Sequence, residues 1–195
     1  MNSCPTPNKV LEDFIKDLQS MKAPRVLELG TLRSEEGRST RHDDWAPNAS
    51  EYLGTDLGEC EDVDIIADIH SLSETCGYES FDAIISCSTF EHFKYPQLAA
   101  HEIMKVLKPN GLLFIQTHQT FPLHAYPYDY YRFSKEALSS LFATNMGFHS
   151  RAGYEFPAKI NEPRGVIDPH AESYLNVHLY GKKIKTTPSE FLYEL

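Results

Sequence analysis

Nothing in this chain is apolar for long enough to cross a bilayer. Its hydrophobic residues come in short runs broken by polar ones, where a spanning helix needs about 18 or more in succession. The opening MNSCPTPNKV lacks the apolar segment behind a basic start that marks a secretory signal, so a cytoplasmic protein with no membrane partner is expected. Cysteine is scarce: Cys4, Cys60, Cys76 and Cys87 lie far apart without a CxxC pair, which excludes a disulfide framework and a zinc knuckle. Basic residues are few as well, 18 against 28 acidic ones. A net charge of −10 repels a phosphate backbone, so no nucleic-acid partner is expected. The basic cluster Lys182, Lys183 and Lys185 reads as a solvated strand end. Glycine occurs ten times but never as G-x-G-x-x-G, and repeats and low-complexity tracts are absent.

What is present suits one domain. The 195 residues, 41% of them hydrophobic, can bury one sizeable core, so residues 1–195 are read as a single unit. Val10, Leu11, Phe14, Ile15 and Leu18 recur at helical spacing over residues 8–21, behind Asn8 as N-cap. Short apolar runs ending at polar residues then predict strands at 25–29, 51–56, 63–67, 81–86 and 111–117. The polar stretch 31–48 is a loop with one short helix around Trp45. A helix is predicted over 96–107, closed by the turn signal Lys108-Pro109-Asn110-Gly111, and another opens at Ser134. Strands over 148–154 and 174–180 flank a Pro- and Gly-rich segment, 155–173, read as an active-site loop or lid. This alternation predicts an α/β, Rossmann-like, doubly wound sheet.

In such sheets ligands bind at the carboxyl ends of the strands, so the residues there are the candidates. Glu28-Leu29-Gly30-Thr31 ends the first strand with a glycine that lets the backbone turn sharply toward a ligand. Asp56, followed by Leu57, ends the second, and its carboxylate can accept from both hydroxyls of a ribose. Asp68-Ile69 pairs an acceptor with an apolar flank, which suits an adenine ring. Ser86 and Ser88 mark the end of the fourth strand.

The strings VLELG, YLGTDL, ADIHSL, FDAIISCSTFEH and EIMKVLKPNGLLFIQTH, spread over residues 22–150, resemble in order the motifs of class I S-adenosylmethionine-dependent methyltransferases. That resemblance implies a seven-stranded sheet with an antiparallel last strand and S-adenosylmethionine as cofactor. It also implies that Gly30 and its neighbours face the cofactor's methionine portion, Asp56 its ribose, and Asp68 with Ile69 its adenine. One departure is visible: after Gly30 the next glycine is Gly37, so the close glycines that cradle a pyrophosphate are missing. This argues against a dinucleotide and leaves the phosphate-free cofactor in place.

Residues 117–133, THQTFPLHAYPYDYYRF, follow the fifth strand and so lie at the ligand edge of the sheet. Methyl transfer to a hydroxyl needs a base near the nucleophile, and His118, His124 and Asp129 are the candidates, with Arg132 positioning the acceptor. A bland alternative is that Asp129 and Arg132 pair to pin the loop. His118, His124 and Asp129 are also acceptable metal ligands, but their spacing matches no metal motif, and no metal is expected. The P-x-D-x-x-R-F stretch resembles methyltransferases of sugar and polysaccharide gene clusters, which implies O-methylation of a small, saccharide-like or otherwise hydroxylated acceptor. Glu91-His92 opens the loop after the fourth strand, a region that contacts cofactor or substrate in the family it resembles. The rival reading is a non-catalytic cofactor-binding or interaction module that keeps the fold. Monomer and homodimer are both open.

Overall fold

The computed structural model describes residues 9–32, 37–161, 163–166, 168, 171–188, 191 and 193. Helix α1, Lys9–Ser20, buries Phe14 and Leu18; the expected cap Asn8 lies outside the described residues. Strands β1 (Arg25–Leu29), β2 (Glu51–Asp56), β3 (Ile65–Ile66) and β4 (Phe81–Cys87) follow, with a one-turn helix at Asp43–Trp45 inside the long polar loop. Helix α2 (Leu72–Cys76) precedes β4, and α3 (Pro96–Val106) leads into β5 (Leu107–His118). Helix α4 (Lys135–Ser140) and the hairpin of β6 (Phe148–Ala158) and β7 (Ser173–Lys183) complete the described elements.

All seven strands share one sheet in the order β3-β2-β1-β4-β5-β7-β6. β1 to β5 pair in parallel, while β7 runs antiparallel to both β5 and β6. This is the expected doubly wound sheet with its antiparallel last strand. The central strands read as almost unbroken apolar runs because both of their faces are covered. On one side Val26, Ala83, Ile85 and Phe114 meet Phe14 of α1, whose ring stacks on Phe114 at 5.0 Å. On the other, Leu27, Ile84, Leu113 and Ile115 meet Ile103 and Met104 of α3 and Leu138 of α4.

Three elements differ from the sequence expectation. β3 shrinks to two residues at the sheet edge, where Ile66 is exposed and a single neighbouring strand supports it. The turn signal at Lys108–Gly111 is absorbed into the start of β5 as a slip in register between Phe81↔Leu107 and Ala83↔Leu112, with Asn110 at φ 68°. β6 continues to Ala158, so residues 155–158 are strand and the connecting loop is correspondingly shorter. β7 supplies the pairing for that extension, and an edge strand tolerates Pro157, whose missing donor belongs to no interior ladder. Ser134 caps α4 as expected, its Oγ accepting from the N–H of Ala137 at 3.1 Å. Among the described residues no helix is long and apolar enough to cross a membrane.

Candidate active site

The carboxyl ends of β1, β2, β4 and β5 open on one edge of the sheet, where the buried polar residues Thr31, Ser86, Thr89, Glu91, Thr117 and His118 lie. Gly30 leaves β1 at φ 79° and donates its N–H to Thr55 O at 2.8 Å, which ties the turn to β2. Thr31 and Ser86, at the ends of β1 and β4, are fully buried, and neither Oγ has a hydrogen-bond partner. Ser88, at φ 50°, donates its hydroxyl to Gln116 Oε1 at 3.2 Å and so links β4 to β5.

Asp56 closes β2 as expected. Its Oδ1 accepts from the Leu57 N–H at 2.7 Å and its Oδ2 from the Leu32 N–H at 3.2 Å. A carboxylate offers about four acceptor sites, so capacity remains. Leu32 and Leu57 flank it with exposed apolar side chains.

Glu28 faces elsewhere. It is buried in β1 with both oxygens occupied: His42 donates from its backbone N–H at 2.9 Å and faces Oε1 through Nδ1 at 2.6 Å, and the Tyr52 hydroxyl donates at 2.6 Å. Burial, then Glu28 itself, pushes the Tyr52 phenol well above its ordinary value, so it stays a donor. Glu28 therefore pins the polar loop to the sheet. Asp68 accepts from the backbone N–H of His70 at 2.9 Å and faces its Nδ1 at 2.7 Å, capping the next turn. These contacts, the backbone one first, hold its carboxyl below the ordinary range. Ile69 packs into the core instead of lining the edge; Ile66 is the exposed apolar side chain near Asp68.

The 117–133 segment folds back over the turn that follows β4. Glu91, in the turn Phe90–His92, is fully buried, and its backbone carbonyl accepts from the N–H groups of Tyr130 and Tyr131 at 2.9 and 3.1 Å. Its Oε2 accepts from Thr117 Oγ1 at 2.6 Å, whereas Oε1 receives no well-directed hydrogen bond. Facing Oε1 are Nε2 of His118 at 3.1 Å and Nε2 of His92 and His124, each at 3.9 Å. Burial opposes ionisation of Glu91, but the His118 and Thr117 contacts outweigh it and hold the carboxyl below its ordinary value. His118 is buried and stacks on Phe121 at 4.1 Å. His124 is partly open, its ring 4.9 Å from that of His92.

Asp129 and Arg132 behave as a clamp. The guanidinium forks onto Asp129 at 2.6 and 2.9 Å, and its remaining donors reach the carbonyls of Phe121, Pro122 and Tyr131 at 3.1, 2.9 and 2.7 Å. All five guanidinium N–H donors are thereby used inside the loop. Asp129 also accepts from the His124 N–H at 3.0 Å, and Arg132, the largest influence, holds its carboxyl far below the ordinary range.

Glu91 is the residue to which sequence reasoning gave too little weight. The available signal was its Glu-His pairing just after a strand end, but nothing local shows that three histidines converge on it. A cavity of about 180 Å³ lies beside the cluster, lined among others by Trp45, Cys87, Gln116, Asn176 and His178. Gln116 Nε2 is buried there without a partner, and Asn176 Oδ1 lies 3.2 Å from His118 Nδ1.

Strand order and polarity, together with a ligand edge built from the ends of β1, β2 and β4, define the class I methyltransferase fold. Residues 42–115 match the family model described as a methyltransferase domain. No curated protein sequence matches the chain. Among solved structures, it is similar to an S-adenosylmethionine-dependent methyltransferase from Archaeoglobus fulgidus: 16% identity, TM-score 0.63, 89% of this chain and 91% of that one covered. It is also similar to the Burkholderia thailandensis 1,6-didemethyltoxoflavin-N1-methyltransferase with bound 1,6-didemethyltoxoflavin and S-adenosylhomocysteine, at 13% identity and TM-score 0.59 over 92% of this chain and 80% of that one. A third similar structure is a Haloferax volcanii complex between the Trm112 methyltransferase activator and a methyltransferase, at 15% identity and TM-score 0.60, covering 92% and 90%. The cofactor that this fold and family match imply is S-adenosylmethionine. The residues present fit it: spare acceptor capacity on Asp56 between exposed leucines, and the orphaned hydroxyls of Thr31 and Ser86 on the adjoining strand ends.

Proposed function

We propose that this chain is an enzyme that transfers a methyl group from S-adenosylmethionine to an oxygen of a small hydroxylated, saccharide-like acceptor. The observation that carries the reading is the Glu91 cluster: a buried carboxylate ringed by His92, His118 and His124, beside the strand ends where the cofactor binds in this fold. S-adenosylmethionine supplies an electrophilic methyl on a sulfonium, so the protein must hold the acceptor in line and draw off its proton.

Asp56 and Leu57, with Gly30 and Thr31, hold the cofactor side, and Ser86 and Ser88 border it. Asp68 faces the adenine end, with Ile69 supporting it from the core and Glu28 supporting the loop from beneath. On the acceptor side the proton leaves toward the histidine cluster, in which His124 is more accessible than His118. Asp129 and Arg132 serve as positioning residues that fix the loop and the backbone of His124. The β6 residues Glu155 and Phe156, from the segment 155–173 expected to be a loop or lid, line the cavity with Asn176 and His178, while residues 162, 167, 169 and 170 of that segment lie outside the described residues; residues 1–195 act as one domain. The acceptor is a small molecule rather than a nucleic acid, because the net charge of −10 opposes a phosphate backbone.

Titration with S-adenosylhomocysteine, followed by Trp45 fluorescence and by calorimetry, tests the cofactor. Micromolar binding that Asp56→Ala abolishes supports the reading, and incubation with sugar and phenol acceptors followed by mass spectrometry then identifies the methylated atom. Absence of binding would turn the assignment to a non-catalytic interaction module. Methylation of amines alone would replace oxygen by nitrogen.

A further inference from the structure

Three histidines drawn from three different segments are held in the same sense. His92 Nδ1 lies 2.9 Å from the carbonyl oxygen of Tyr128, His124 Nδ1 3.2 Å from that of Pro122, and His118 Nδ1 3.2 Å from Asn176 Oδ1. A backbone carbonyl oxygen only accepts, so Nδ1 of His92 and of His124 carries the hydrogen, and in their neutral imidazoles Nε2 is left as a lone pair, whereas His118 Nε2 makes the close 3.1 Å contact with Glu91 Oε1. All three Nε2 atoms face the same atom, Glu91 Oε1. Glu91 is fully buried, and that oxygen is the one lacking a directed hydrogen bond. Two lone pairs and a carboxylate oxygen converging on one point repel one another unless positive charge lies among them.

The spacing suits an ion. Two ligand atoms about 2.1 Å from one cation stand roughly 3.0–3.4 Å apart. Glu91, His92 and His124 present ligand atoms within 4.8 Å of one another, and the 3.9 Å separations close with a shift of about half an ångström. The side chains of His92 and His124 are partly exposed, and their accessible side leaves a coordination position open. The support behind the ligands is also built: each ring is oriented by the acceptor at its Nδ1, and Arg132 holds the Pro122 carbonyl that orients His124.

We infer that Glu91 Oε1 and the Nε2 atoms of His92 and His124 form a mononuclear site for a divalent transition cation of the zinc or cobalt type, with His118 in contact with Glu91 beside it. Two imidazoles and one carboxylate favour such a cation over magnesium or calcium, which prefer all-oxygen sites. Resting on the methyltransferase reading, the open position is where the acceptor's oxygen is received, which makes an alcohol that ligates through one oxygen the substrate class.

The test uses the full chain stripped with a chelator and titrated with Co²⁺ alone, followed by visible absorption and calorimetry, with S-adenosylhomocysteine binding measured on the same samples. One Co²⁺ per chain with d–d absorption is expected, weakened at least about tenfold by His124→Ala and by His92→Ala. Both substituted side chains are partly exposed; Glu91→Gln is read only if its melting profile stays cooperative. Binding below one-tenth of an equivalent, or Co²⁺ affinity unchanged in both histidine variants, would overturn the site and leave a cluster that exchanges protons only. Retained S-adenosylhomocysteine binding in that case keeps the methyltransferase reading. Co²⁺ bound without S-adenosylhomocysteine would keep the site and sink that reading instead.

Discussion

Gly30 presses on Thr89 so closely that a Cβ added at position 30 would come within 2.1 Å of Thr89 Oγ1. The contact joins the end of β1 to the turn carrying Glu91, so the cofactor edge and the histidine cluster share one boundary. Gly30→Ala must push that turn away and also adopt φ 79° with a side chain. The expected cost is about 1–3 kcal/mol in chemical denaturation, with cofactor affinity and turnover both reduced. A variant as stable and as active as the parent would show that the two ends move independently.

Asp56 has a structural share as well as a ligand share. Asp56→Ala removes acceptors from the Leu32 and Leu57 N–H groups, which costs about 1 kcal/mol of stability. Asp56→Asn keeps an acceptor oxygen for part of that network while losing the charge. S-adenosylhomocysteine affinity should therefore fall at least about tenfold in the alanine variant and less in the asparagine one. Equal affinity in all three proteins would remove Asp56 from the cofactor site.

Arg132 organises its loop through all five of its donors, a geometry that the point charge of a lysine does not reproduce. In Arg132→Lys, amide exchange over residues 121–131 should accelerate and turnover should fall, while S-adenosylhomocysteine affinity stays near the parent value. A selective rise in KM for the acceptor with unaltered amide exchange would instead place Arg132 against the substrate.

His178 predicts an acid-side loss of stability. Burial lowers its pKa to about 4 from the ordinary 6.5, so between these values the unfolded chain binds a proton that the folded chain refuses. Stability is full above about pH 6.5 and declines as pH falls toward 4, by up to about 3 kcal/mol from this group. The Glu155 carboxylate, 3.4 Å away, opposes the shift and trims that figure. Denaturation midpoints measured for His178→Gln across this range should show a shallower decline; parallel curves would exclude His178 as the source.

Much of the fold was legible because it rests on local signals. Val26, Leu27 and Leu29 of β1 and Ala83-Ile84-Ile85 of β4 put apolar side chains on both faces, as parallel central strands do, and Asp56 ends β2 where the pattern placed it. β3 was overestimated and β6 underestimated for one physical reason: the length of an edge strand follows its partner's hydrogen bonds more than its own composition.

The candidate site divides in the same way. The order of strands and helices, the carboxylate after β2 and the histidine- and tyrosine-rich stretch after β5 are properties of the sequence, since each depends on residues adjacent in the chain. That Ile69 faces the core, that Arg132 spends every donor within its loop, and that His92, His118 and His124 converge on Glu91 were decided by tertiary structure. Parallel pairing of β4 with β5, which sets Cys87 beside Gln116, carries the turn after one strand up to the residues ending the other. No spacing rule along the chain encodes that juxtaposition, because it depends on where two strand ends finish and on which way each imidazole is turned by the acceptor behind it.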